Sequence, residues 1–231
     1  MAAFLQSVRG LGLMLDSPPG FLSLSEFFRM PPSRARALTS TPLPHSEQVL
    51  LLVDVINPMN FPAAENLLPS AWDAAQRVAR LKKRLAARGA TAIYANDNYG
   101  TWHSEFRDIL AACQMLPGRR GAIARLLTPT PQDLVILKPQ HSAFHSTPLQ
   151  HLLARMGTRR LVIVGWAADM CVMLSATDAR MLGHEVWVPR DCIAAETPAR
   201  YAAAVQQLQG PFDCTVRPAF GSGAAGRPAA R

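Results

Sequence analysis

The stretch Val49-Leu50-Leu51-Leu52-Val53-Asp54-Val55 decides how the chain folds. It is apolar at every position up to Asp54 and shows none of the in-out alternation of a strand with one wet face. Such a run reads as a strand covered on both sides, which is the habit of parallel sheets. Working outward, Ser70–Arg88 places Trp72, Ala75, Val78, Ala79, Leu81 and Leu85 on one helical face, and Gly89 marks its stop. A short apolar run follows at Thr91–Ala95, then helical patterns at Ser104–Leu116 and Gly121–Leu127. Leu134–Leu137 reads as a strand, Pro148–Met156 as a helix and Leu161–Val164 as a second clean strand. A small-residue helix over Asp169–Leu182, a strand at Glu185–Val188, a helix at Pro198–Leu208 and a faint strand at Asp213–Val216 complete the series. Strands separated by helices of this length pair in parallel through right-handed crossovers. The expected fold is therefore a Rossmann-like three-layer α/β sandwich on a mainly parallel sheet of five or six strands.

Composition narrows the function classes. The chain has 231 residues, 49% hydrophobic and 17% charged, with a formal charge of +8. Lysine occurs only at 82, 83 and 138, so 21 arginines carry most of the positive charge. Its densest run, Arg77–Arg88, lies on one amphipathic helix, where a solvated face accounts for it. Aromatic residues do not interleave with it as they do in nucleic-acid grooves, so no nucleic-acid partner is expected. Leu11–Leu24, the longest apolar stretch near the start, is interrupted by Asp16, Pro18, Pro19 and Gly20 and is too short to span a bilayer. The cysteines at 113, 171, 192 and 214 form no C-x-x-C pair, which points to reduced thiols and a cytoplasmic setting. Residues 1–46 read as a flexible, proline-punctuated extension, 47–217 as the folded domain and 218–231 as a flexible tail rich in Gly, Ala and Pro. The formal G-x-G-x-x-G at 221–226 belongs to that tail and has no room for a dinucleotide-binding unit.

In an open parallel sheet, ligands bind beyond the carboxyl ends of the strands. Asp54 ends the first strand, Lys138 follows Leu134–Leu137, and Cys171 follows Leu161–Val164. Taken singly, these are a turn cap, a solvated charge and a small buried residue; together on one edge they make a chemical group. A thiol attacks as its thiolate, which a helix N-terminus and a neighbouring cation favour. Asp54 is suited to accept the thiol proton and return it to a leaving amine. Lys138 supplies the compact ammonium that arginine does not replace.

The segments LLLVDVINPMNF (Leu50–Phe61), VILKPQHSAF (Val135–Phe144) and GWAADMCVMLSATDA (Gly165–Ala179) together resemble the isochorismatase-like hydrolases, nicotinamidases included. The resemblance implies an Asp54–Lys138–Cys171 catalytic triad and hydrolysis of a small amide or other C–N bond through a thioester, with no cofactor. It also implies a cis peptide between Trp166 and Ala167, turning the Ala167 N–H toward substrate to form an oxyanion hole with the Cys171 N–H. A homo-oligomer is expected on the same ground. Ile56, Pro58 and Met59 stand where the family commonly has Gln, Asp and Phe, while Asn57 is kept, so the pocket wall differs. Asp97-Asn98-Tyr99 followed by His103 departs from the Asp-x-His metal pattern of nicotinamidases, and no metal is expected. Met59, Phe61, Trp102, His141 and Trp166 are the candidate pocket residues. The rival reading is a catalytically idle member that binds a small molecule or a protein through the same cleft.

Overall fold

The computed structural model describes residues 42–221, apart from 101, 103 and 104. The expectations for most of the extension, for His103 and for most of the tail fall outside the described residues. Six strands form one sheet: β1 (Gln48–Val53), β2 (Thr91–Asp97), β3 (Leu134–Lys138), β4 (Arg160–Trp166), β5 (Glu185–Trp187) and β6 (Ile193–Ala194). The order is β3-β2-β1-β4-β5, with β6 beside the end of β4, and every pairing is parallel. The central β1 alternates between two cores. Leu50 and Leu52 pack with α1 (Ala64–Ala86), α2 (Phe106–Met115) and α3 (Gly118–Leu126). Val49, Leu51 and Val53 pack with α4 (Leu149–Met156), α5 (Met173–Met181) and α6 (Pro198–Gln209). The sheet is thus the middle of three layers, as the doubly apolar reading of β1 predicts.

Several boundaries differ from the sequence reading. Helix α1 begins at Ala64 and carries Pro69 inside it, whereas the pattern suggested a start at Ser70. A proline removes one backbone donor, so it reads as a start signal even where the helix is already under way. The faint last strand reduces to one parallel bridge between Trp187 and Thr215, and the two-residue β6 has too short a pattern to read. No helix among the described residues is long and apolar enough to cross a membrane.

The two flanks expected to be loose are tied down where they meet the domain. Ser46 is buried and its carbonyl accepts from Thr158 Oγ1 (2.8 Å). Residues 218–220, expected within the tail, dock: the Asp191 carboxylate accepts from the backbone N–H of Ala219 (2.6 Å) and Phe220 (3.1 Å). The guanidinium groups of Arg80 and Arg84 lie 4.3 and 4.7 Å from the Phe220 ring centroid. Part of the basic run on α1 therefore covers an aromatic face, which helical periodicity alone reads as solvated charge.

Candidate active site

The chain turns direction between β1 and β4, and the crevice at their carboxyl ends is where an α/β sheet binds ligands. Asp54 follows β1 directly and takes a left-handed backbone (φ 51°), an uncommon conformation for a residue with a side chain. Its N–H donates to the Ala95 carbonyl (3.0 Å), and its Oδ1 accepts from the Asp97 N–H (2.7 Å). The turn thus aims the carboxylate across β2 toward β3. There Lys138, the last residue of β3 and fully buried, places Nζ 2.8 Å from Asp54 Oδ2. Lys138 Nζ also donates to the Gln140 carbonyl (3.2 Å) and lies 3.6 Å from Cys171 Sγ.

Cys171 reaches the crevice through an irregular connection. Gly165 (φ 121°) lies so close to β1 that a Cβ there would stand 2.0 Å from the Val53 carbonyl oxygen. The next peptide, Trp166–Ala167, is cis. A single π-type turn over Ala168–Val172 then leads into α5. The expected helix over Asp169–Leu182 thus holds a wider first turn, a kind of bulge often found at functional sites, and Cys171 sits in it. Ser175, one turn on, donates to the Cys171 carbonyl (2.6 Å) and accepts from the Ala143 N–H (2.9 Å). Ser142 Oγ bonds the Asp178 carboxylate on the same helix. The loop after β3 is therefore fastened to the helix that carries the sulfur. His141, exposed in that loop, brings Nδ1 to 3.6 Å from Sγ.

The electrostatics differ from the expectation in one respect. Burial, and then the neighbouring Asp54 carboxylate, push the Cys171 thiol up to about 12, with Lys138 pulling the other way. The sequence reading has the helix terminus and the lysine lowering it, a balance that omits the cost of ionising a partly buried sulfur beside a carboxylate. Burial likewise raises the Asp54 carboxyl, against the pull of Lys138. Burial of the ammonium pulls Lys138 down, but Asp54, Cys171 and Asp97 together hold it above its ordinary range.

Of the candidate pocket residues, only His141 has a polar contact with the sulfur. Met59 and Trp166 are each 1% exposed and pack in the α1-side core, with Phe61 against them. Apolar side chains beside a motif are claimed by the core before the pocket. Trp102 is 79% exposed. Tyr99 was not anticipated: its backbone is left-handed (φ 54°), and its hydroxyl lies 3.4 Å from the Ile56 carbonyl. The available signal was its place just beyond β2, the strand between Asp54 and Lys138. Among the described residues, no group of three or more His, Cys, Asp or Glu is arranged to hold a metal ion.

A family model for the isochorismatase domain matches residues 48–217, a span that holds Asp54, Lys138 and Cys171. The chain belongs to the isochorismatase family of hydrolases. It is 32% identical over 152 residues to the uncharacterized isochorismatase family protein YaaI of Bacillus subtilis, covering 66% of this chain and 83% of that one. Maleamate amidohydrolase of Pseudomonas putida is 26% identical over 153 residues, covering 62% and 70% respectively. The crystal structure of a putative isochorismatase hydrolase from Oleispira antarctica superposes with a TM-score of 0.58 at 25% identity, covering 78% of this chain and 96% of that one. The isochorismatase-like α/β fold read from the sequence is the fold observed.

Proposed function

We propose that this isochorismatase-family chain is a cysteine-dependent amidohydrolase that opens a small amide or related C–N bond through a thioester on Cys171. The observation that carries the reading is the contact chain from Sγ to Lys138 Nζ (3.6 Å) and on to Asp54 (2.8 Å) at one sheet edge. Cys171 is the nucleophile, and Asp54 the base that takes the thiol proton as sulfur attacks the carbonyl carbon. Lys138 holds Asp54 in place and balances the charge that forms. Burial and Asp54 hold the thiol proton, so its transfer to Asp54 accompanies the attack. The N–H groups of Ala167 and Cys171 are assigned to the oxyanion, where such donors are worth about 3–4 kcal/mol each. The maleamate amidohydrolase relative supports an amide as the substrate class. The hydrolase domain is assigned to 47–217, acting in the cytoplasm as a homo-oligomer without a cofactor.

Screening small amides, ureides and carbamoyl compounds for released ammonia or amine tests the reading. Cys171→Ala is expected to abolish turnover of any compound the wild type hydrolyses. Undiminished release by that variant overturns the mechanism.

A further inference from the structure

The sulfur of Cys171 has polar neighbours on two sides of different character. One side is the buried pair: Lys138 is fully inaccessible and the Asp54 side chain 5% exposed. The other is His141, an exposed residue whose Nδ1 lies 3.6 Å from Sγ. A carbonyl compound has to reach the sulfur from the open side, so the bond to be broken and the water that follows both lie next to the imidazole. That position is held from both directions. Gln140 is tied to Lys138 Nζ through its carbonyl, and Ser142 and Ala143 are tied to Asp178 and Ser175 on the helix of Cys171. These bonds hold the segment that carries His141 against the helix of Cys171.

We propose that His141 is a second catalytic acid–base, serving the leaving group and the attacking water while Asp54 serves the sulfur. The proposal rests on the thioester reading above and divides the proton traffic within it. In the first half, the Sγ proton passes to Asp54 and the S–C bond forms. The C–N bond then breaks as the nitrogen takes a proton from the imidazolium of His141. In the second half, the neutral imidazole takes a proton from water, and the hydroxide forms the new C–O bond. The C–S bond breaks, and sulfur recovers its proton from Asp54. Amide and water are consumed, acid and amine are released, and both side chains return to their starting states. With the sulfur proton kept on Asp54 rather than returned to the leaving amine, His141 beside the reacting sulfur is the group placed to serve the water.

The test uses 4-nitrophenyl acetate with the full-length protein. Nitrophenolate departs without a proton, so acylation does not need His141, whereas hydrolysis of the acetyl thioester does. In His141→Gln, the nitrophenol burst is expected to keep its wild-type rate while the steady state slows by about 100-fold, the usual scale for losing a general base. The acetyl group should accumulate on Cys171 and be visible by mass spectrometry. Added imidazole should restore deacylation in His141→Gly, an effect that loss of packing does not produce. If His141→Gln slows burst and steady state alike, or neither, His141 has no such role. If Cys171→Ala still gives the wild-type burst, the thioester reading itself fails and this assignment falls with it.

Discussion

Lys138 Nζ and Asp54 Oδ2 stand 2.8 Å apart at the ends of two strands that do not pair with each other, and neither side chain is open to water. Removing one partner strands the other's charge in a dry site, which typically costs about 3–5 kcal/mol. Lys138→Met should therefore lower the urea midpoint sharply, and Asp54→Asn added to it should recover part of the loss. A Lys138→Met protein within about 1 kcal/mol of wild type would mean the pair is not closed in solution.

The Asp54 carboxylate and burial together hold the Cys171 proton. Iodoacetamide should thus label native Cys171 more slowly at pH 8 than an ordinary thiol, which titrates near 8.5, with a rate that climbs as pH approaches 12. Asp54→Asn removes a charge that raises the thiol and leaves Lys138, which lowers it. Labelling at pH 8 should therefore quicken in that variant even as turnover is lost. Faster labelling in the wild type contradicts a protonated resting thiol.

Alkaline pH should weaken the fold. Burial raises Cys113 and Cys214 to about 11, alongside Cys171 at about 12. A group whose proton is held more tightly in the folded state contributes stability below its unfolded pKa and loses it as pH rises through the folded value. The loss therefore begins near pH 8.5 and runs to about 12. Urea unfolding at pH 8 and pH 10.5 measures it; equal stability at both values counts against these shifts.

Ser175→Ala cuts the bridge between the Cys171 carbonyl and the Ala143 N–H. A buried donor left without a partner costs about 1–3 kcal/mol, a loss readable as a lower melting temperature. Turnover should fall as well, because the loop of His141 is no longer fastened to the helix of Cys171. Wild-type melting and wild-type kcat together would remove the bridge from consideration.

Gly165→Ala puts a methyl group 2.0 Å from the Val53 carbonyl oxygen at a φ of 121°. The sheet has to open between its two central strands to accept it, so little soluble protein is expected. A soluble variant that melts like the wild type would be the contrary result.

Much of this was legible in the residue pattern because buried parallel strands leave uninterrupted apolar runs. Val49–Val53 and Leu161–Val164 give the two central strands, and the residues after such strands give the crevice. What escaped depends on three-dimensional surroundings. Ser70, just after Pro69, looks like the start of a helix that had already begun at Ala64. Met59 and Trp166 belong to motif segments, yet packing takes them into the core. The direction of the Cys171 shift turns on how much water the fold excludes, and no spacing reports that. Tyr99, whose hydroxyl lies by the Ile56 carbonyl, is set there by a left-handed backbone that no periodicity encodes.

The tightly held proton on Cys171 has a bearing on survival as well as on turnover. Peroxide and disulfide reagents attack thiolates in preference to thiols, so a sulfur that ionises only as it meets a carbonyl offers oxidants little between turnovers. The resting protein should keep its nucleophile reduced through oxidative stress that would silence an enzyme with a standing thiolate.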